Sequence, residues 1–118
     1  MFIVDFFIRN DGGCPTAKFL DSLDIKMRAK CLRLLALLEH NGNDLKEPYS
    51  KAIGNGLYEL RVKQGNNITR FLYFYSTEHR IIVTNGFVKK SQKIPKREIT
   101  LANKYREEYL MRKEKCDE

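Results

Sequence analysis

The chain has 118 residues, and its 22 lysines and arginines against 15 acidic residues give a formal net charge of +7 at pH 7. This length fits a single domain over residues 1–118, and its three widely spaced cysteines exclude a disulfide framework and a zinc site. No apolar run approaches the roughly 20 residues of a membrane helix and no signal peptide is recognisable, so we expect a basic, cytoplasmic protein that is drawn to polyanions such as nucleic acid.

The N-terminal half is predicted to form one strand and two helices. Residues 2 to 9 are β-branched and aromatic and end in turn-forming residues, which predicts a first strand. Pro15 favours the start of a short helix that runs through about Leu20. Ser22 or Asp24 can then cap a longer helix. In that helix, apolar residues recur at intervals of three and four and predict a core-facing stripe of Met27, Cys31, Leu34, Leu35 and Leu38.

The C-terminal half is predicted to form three strands and a helix. Strands over about residues 57 to 63, 68 to 75 and 80 to 88 are separated by short turns and make an antiparallel meander. Pro95 opens a last helix whose apolar stripe includes Tyr105 and Tyr109, for which we expect core packing. The chain is therefore predicted to be an α+β protein of order βααβββα, with a sheet packed by two N-terminal helices and a C-terminal helix.

Two arginines are predicted to face each other across the first hairpin of the meander. A turn centred on Gly65 and Asn66 sets the register. It places Arg61 opposite Arg70 on one face of the sheet, and Glu59 lies on the same face. Directly opposed like charges destabilise a sheet unless an anion lies between them. Either Glu59 bridges the arginines as part of a surface network, or a ligand phosphate does so.

More cations are predicted at the end of the third strand of the meander. A second turn centred on residues 77 and 78 places Asn85 beside Arg70, with Phe87 and Lys89 farther along the same face. The opposite face, with Tyr58, Leu60, Val62, Phe71, Tyr73, Ile82 and Val88, is predicted to be the floor for the helices. A dense basic run comprises Lys89, Lys90, Lys93, Lys96 and Arg97. This run indicates phosphate contacts or a solvated basic turn, and both interpretations remain open.

These segments resemble a known group of proteins. Residues 56 to 73 contain Leu-Tyr-Glu-Leu-Arg and Arg-Phe-Leu-Tyr, and residues 87 to 95 read Phe-Val-Lys-Lys-Ser-Gln-Lys-Ile-Pro. In combination they resemble the HigB-like, often phage-derived branch of the RelE/ParE toxin superfamily. The resemblance covers most of the chain and is weakest before residue 45. It implies a compact RelE-like βααβββα fold and the toxin half of a type II toxin–antitoxin pair.

The resemblance also implies an activity and partners. Toxins of the RelE type enter the ribosomal A site and cut mRNA without a metal or other cofactor. A small helix-turn-helix DNA-binding antitoxin, encoded alongside, neutralises them. For this chain the resemblance therefore implies an mRNA endoribonuclease that inhibits translation, with mRNA on the ribosome and an antitoxin as partners.

The chemistry of metal-free RNA cleavage matches the residue types of the hairpin. The reaction must remove a proton from a 2′-hydroxyl, neutralise charge on phosphorus and protonate the leaving 5′-oxygen. Arginine suits the second task because it is always charged. The resemblance implies that Arg61, Arg70 and Lys90 form a transition-state clamp and supply a candidate acid, whereas the strand register favours Lys89 over Lys90. Glu59 or a lysine with a lowered pKa is a candidate for the proton steps.

Residues for RNA binding are predicted around these groups. Lys93, Lys96 and Arg97 are expected to contact the RNA backbone, because they follow the clamp in the basic run. Phe87 is a candidate for stacking on a base, and core packing is the alternative for this ring. No metal ligand is predicted in the chain.

Two other functions fit the same features. The superfamily also contains ParE-like poisons of DNA gyrase, which share the scaffold without the basic set that Arg61, Arg70 and Lys90 represent. A phage nucleic-acid-binding protein without cleavage activity would use the positive charge only to recruit RNA. Translational arrest with new mRNA ends distinguishes the nuclease from both.

Overall fold

The computed structural model describes residues 1–89 and 93–117, with side chains through residue 114. Five strands and three α-helices confirm the predicted α+β class. The elements in chain order are β1 (Ile3–Phe6), α1 (Pro15–Ser22), α2 (Ile25–Asn41), a short 3₁₀ helix (Gly42–Asp44), β2 (Ser50–Gly54), β3 (Leu57–Gln64), β4 (Asn67–Tyr75), β5 (Arg80–Lys89) and α3 (Lys96–Asp117). In the described part of the chain, no helix is long and apolar enough to span a membrane.

The five strands form one sheet in the order β1-β5-β4-β3-β2. The predicted meander is its centre, since β3, β4 and β5 pair antiparallel. The first strand is shorter than predicted and pairs parallel with β5 at one edge. The sequence pattern did not predict β2, at the other edge of the sheet. Its exposed sequence carries no strand pattern, and its order depends on pairing with β3.

One face of the sheet packs against α1 and α2. Asp24, not Ser22, caps α2, because its carboxylate accepts the N–H of Met27 at 2.9 Å. All five residues of the predicted stripe are buried, from Met27 to Leu38. They pack in one core cluster with sheet residues such as Leu60 and Phe71. The hydrophobic pattern therefore predicted this half of the core correctly.

The other face also holds apolar core, which corrects the expectation that only one face does. α3 packs there over a second cluster of Phe7, Leu57, Leu72, Phe74, Ile82, Phe87, Ala102 and Tyr105. Ile82 was predicted on the opposite face. Thr84 forms a bulge in β5, so the residues before Thr84 point to the other side of the sheet from the one predicted. Val88, also predicted as floor, is 50% exposed.

Contacts along its length fix α3 over the sheet. Tyr105 stacks on Phe7 with ring centroids 4.7 Å apart, and Tyr109 packs edge-on against Phe74. Arg106 Nη1 donates to the carbonyl oxygen of Asn55 at 2.7 Å. The two tyrosines thus pack as predicted, and α3 begins beside the charged end of β3 and β4.

Candidate functional site

Two arginines face each other across β3 and β4, which confirms the predicted register. Arg61 is the direct cross-strand partner of Arg70. Both guanidinium groups meet one carboxylate oxygen, since Glu59 Oε1 lies 2.7 Å from Arg70 Nη1 and 3.4 Å from Arg61 Nε. Glu59 therefore bridges the two arginines in the free protein and offsets the repulsion between them.

This charged cluster is buried and is not a surface network. The Arg70 and Glu59 side chains are 5% and 3% exposed, and that of Arg61 is 28% exposed. A guanidinium has five N–H donors. The Nε–H of Arg70 is shielded from solvent and has no hydrogen-bond partner among the described residues. Because buried donors are nearly always paired, this N–H is suited to donate a hydrogen bond to an anionic ligand.

Lys89 brings a third cation to the cluster. It is the last residue of β5, lies opposite Ile68 and is 7% exposed. Burial lowers the pKa of Lys89 below its ordinary 10.5, the charge of Arg70 lowers it further, and Glu59 acts in the opposite sense. An ammonium group with a lowered pKa gives up its proton more readily near neutral pH. Lys90, the alternative to Lys89, lies outside the described residues.

The pairing of β4 with β5 differs from the predicted register. Phe87, not Asn85, lies opposite Arg70. The turn is wider than predicted and Thr84 bulges from β5, and each feature shifts the pairing by one residue. A total shift of two keeps these side chains on the predicted face. Asn85 instead donates its amide to Glu98 Oε1 at 3.1 Å, which ties β5 to the first turn of α3.

A groove of about 530 Å³ opens over the cluster. Its walls come from β2, from the paired strands β3 and β4, and from residues at the start of α3. It is lined by Lys51, Ala52, Ile53, Glu59, Arg61, Arg70, Lys93, Ile94, Lys96 and Ile99. In the described part of this lining, five side chains are cationic and Glu59 is the only carboxylate. The groove is therefore suited to a chain of phosphates.

Of the four residues predicted to bind RNA, two line the groove and two lie outside its lining. Lys93 and Lys96 line the groove. Arg97 does not line it; its side chain is 83% exposed, and its Nε lies 3.5 Å from Glu98 Oε2. Phe87 is 8% exposed and packs in the cluster beneath α3. A buried ring cannot stack on a base, so this conformation favours the packing alternative for Phe87.

Comparison with known proteins gives the family. Residues 18–107 match the family described as phage derived protein Gp49-like. The chain belongs to this family. Gp49-like proteins are RelE-like toxins, which confirms the predicted membership of the RelE/ParE superfamily. The narrower assignment to the HigB-like branch stays a prediction.

Among solved structures, the archaeal RelE–RelB complex from Pyrococcus horikoshii OT3 is similar to this Gp49-like chain. The two chains are 14% identical, and the match covers 74% of this chain and 93% of that chain with a TM-score of 0.47. No curated protein matches the chain.

Sequence reasoning missed one charged residue of the groove in this Gp49-like chain. Lys51 is the direct cross-strand partner of Glu59 and lines the groove beside it. No sequence feature marked Lys51 as a site residue, because β2 was not predicted. A lysine in a polar segment cannot be distinguished by pattern from an ordinary solvated charge. With Lys51 included, cations from β2, β3 and β4 line the groove, and the Lys51 ammonium lies 4.0 Å from Glu47 Oε1.

The donor set of the groove suits anions and not a metal ion. Lysine and arginine are donors only, and neither coordinates a cation in its charged form. Among residues 1–89 and 93–114, no group of three or more histidine, cysteine, aspartate or glutamate side chains is placed to hold a metal ion.

Lys89→Met is expected to raise the free energy of unfolding at neutral pH and to flatten its pH dependence. Because burial lowers the pKa of Lys89 in the folded protein, the unfolded chain binds this proton more tightly. Wild-type stability should therefore rise as the pH increases from the lowered pKa towards 10.5. Urea unfolding between about pH 7 and 9.5 measures this slope.

The exposed Lys63, changed to methionine, is the matched control and should keep the wild-type slope. A Lys89→Met variant that is less stable than wild type across this range would show that the contacts of the ammonium outweigh the effect of its burial.

Proposed function

We propose that this Gp49-like chain is the toxin of a type II toxin–antitoxin module and acts as an endoribonuclease that cuts mRNA in the ribosomal A site and so stops translation. Membership of a family of RelE-like toxins supports the toxin role. The observation that carries the nuclease activity is the buried Arg61–Glu59–Arg70 cluster at the floor of a cationic groove.

In the proposed reaction, a phosphodiester of the RNA takes the place of Glu59 between the arginines. Arg70 offers its unpartnered Nε–H and Arg61 its partly exposed guanidinium to the phosphate oxygens. Arginine forms two parallel hydrogen bonds to phosphate, and these strengthen as negative charge grows in the pentacoordinate transition state. A groove that excludes water increases this stabilisation. No metal ion is needed for the charge neutralisation in this scheme.

Two groups beside the arginines are proposed to move protons. The 2′-oxygen attacks phosphorus while its proton passes to Glu59, which the phosphate has released from the arginines. The bond between phosphorus and the 5′-oxygen breaks, and Lys89 protonates the leaving oxygen; the lowered pKa of Lys89 favours this transfer. The products are a 2′,3′-cyclic phosphate and a 5′-hydroxyl. If Lys90 is the acid instead, Lys89→Met will not change the rate of cleavage.

The proposed partners follow from the charge of the groove and from the family. Lys51, Lys93 and Lys96, which line the groove, are proposed to contact phosphates that flank the cut, so RNA binding should weaken strongly with salt. Arg97 is proposed as an outer contact. The cognate antitoxin is proposed to be a small helix-turn-helix DNA-binding protein that neutralises the toxin in the cytoplasm.

Mapping of mRNA ends after a brief induction tests the proposal. Wild type is expected to stop translation and to create new mRNA 5′ ends with 5′-hydroxyl groups, and Arg61→Ala to do neither while still binding its antitoxin. Damage to DNA with continued translation would instead indicate a ParE-like gyrase poison. RNA binding without new ends would indicate a binding protein, and either result would exclude the nuclease.

A further inference from the structure

A second pocket adjoins the groove at the open edge of β3. It has a volume of about 400 Å³ and is lined by Lys30, Leu34, Pro48, Tyr49, Arg61, Lys63 and Ile68. Pairing between β2 and β3 ends at Ser50 and Leu60, so the rest of β3 extends past its neighbour. The pocket occupies this open position, between α2 and the tip of the β3–β4 hairpin.

Arg61 connects the two cavities. Its side chain lines both the groove and the second pocket. Its backbone N–H donates to the carbonyl oxygen of Tyr49 at 2.8 Å, so Tyr49 is held beside the arginine that we assign to the phosphate. A nucleotide whose phosphate lies on Arg61 would therefore have a neighbouring base within reach of the pocket.

The chemistry of the pocket fits a nucleobase. Tyr49 is 46% exposed, so its ring is accessible for stacking, unlike the buried Phe87. Pro48, Leu34 and Ile68 provide apolar surface. The size lies within the roughly 300–1,000 Å³ of pockets that hold small ligands. Aromatic rings stack on every base, because each base has a π-face.

The positive charge of the pocket favours an anionic ligand. Lys30, Arg61 and Lys63 surround the apolar surface, and none of the residues described in the lining is acidic. An apolar peptide side chain would need no such cations, and an acidic one would leave the apolar surface uncovered. A nucleotide fits both the apolar surface and the cations of the pocket, because its base can stack on Tyr49 and its phosphates can bind the cations.

We infer that this pocket binds the base next to the scissile phosphate and that Tyr49 is the residue on which the base stacks. The inference rests on the proposed function for the location of the scissile phosphate, and it adds a site that holds the base beside the cut. In this arrangement Arg61 positions the two parts of the substrate relative to each other.

Binding of an uncleavable RNA tests the pocket separately from cleavage. The probe is a short single-stranded RNA with 2′-O-methyl groups, and inorganic phosphate is the second probe. Tyr49→Ala is expected to weaken binding of the RNA by about 5- to 100-fold, as the loss of one stacked base does, and to leave phosphate binding unchanged. Tyr49→Phe keeps the ring and should bind as wild type does. Equal RNA affinity for wild type and Tyr49→Ala would overturn the inference.

Cleavage measurements separate this inference from the proposed function. If the enzyme cuts RNA, Tyr49→Ala should raise KM more than it lowers kcat. Cleavage by Tyr49→Ala with unchanged KM would refute the pocket and leave the nuclease intact. If wild type cuts no RNA yet binds it through Tyr49, the proposed function fails and the pocket stands. Loss of antitoxin binding alone in Tyr49→Ala would assign the pocket to the antitoxin and overturn the inference.

Discussion

Arg70→Ala is expected to lower the rate of RNA cleavage by about 100- to 1,000-fold, the usual effect of removing one donor to a charged transition state. The Arg70 side chain is 5% exposed and that of Arg61 is 28% exposed, and Arg70 holds a donor without a partner in the described part of the chain. Since its contacts strengthen as charge develops on phosphorus, the loss should fall on kcat more than on KM. Single-turnover cleavage of ribosome-bound mRNA measures this rate.

Stability must be measured on the same variants, because Arg70 also neutralises Glu59. Removing one partner of a buried ion pair destabilises a protein by about 3–5 kcal/mol, although Arg61 remains near Glu59 and should reduce the effect. Arg70→Lys keeps a positive charge but lacks the forked geometry, so it should fold better and still cleave slowly. Arg80→Ala, which removes an ion pair with Asp5 outside the groove, is the matched control and should cleave normally. Wild-type cleavage by Arg70→Lys would contradict the clamp.

The sequence predicted those parts of the fold that depend on local patterns. The stripe of α2 followed from its helical period, and the pairing of Arg61 with Arg70 followed from a short turn at Gly65 and Asn66. Turn geometry determines the register of a hairpin, and the pairing of these two charges could therefore be derived without a structure. The family resemblance rested on the same segments.

The parts that sequence reasoning missed depend on non-local packing. β2 is ordered by its pairing with β3, and α3 covers the second face of the sheet, so both faces are core. As a result, Phe87 and Arg70 are buried where the sequence suggested a polar face, and Lys51 joins the site. Burial cannot be derived from alternation alone when a helix covers the face that carries the charges.

In the proposed reaction, the buried Glu59 carboxylate has two tasks that it cannot perform at the same time. In the free protein its carboxylate neutralises Arg70 and Arg61, so it occupies the place between the arginines that the substrate phosphate would need. In the proposed reaction, an RNA phosphate competes with Glu59 for the arginines. We expect this competition to weaken binding of the ground state and to leave a carboxylate beside the 2′-hydroxyl once the phosphate has entered.

Glu59→Gln is therefore expected to bind RNA and inorganic phosphate more tightly than wild type and to cleave RNA about 100-fold or more slowly, since the base is lost and the arginines become free for anions. In Glu59→Gln without a bound anion, the buried cations lack their only neighbouring carboxylate in the described part of the groove. The free energy of unfolding should therefore fall by up to about 3–5 kcal/mol. Added phosphate should restore this stability in proportion to its binding.

Thermal unfolding with increasing phosphate measures the effect, and sulfate at matched ionic strength tests whether any tetrahedral anion suffices. Asp5→Asn, in the ion pair with Arg80 outside the groove, is the control and should respond to phosphate as wild type does. If Glu59→Gln gains no more stability from phosphate than wild type, the carboxylate does not occupy the phosphate position. If it binds more tightly but cleaves at the wild-type rate, Glu59 positions the arginines and a different group accepts the proton of the 2′-hydroxyl.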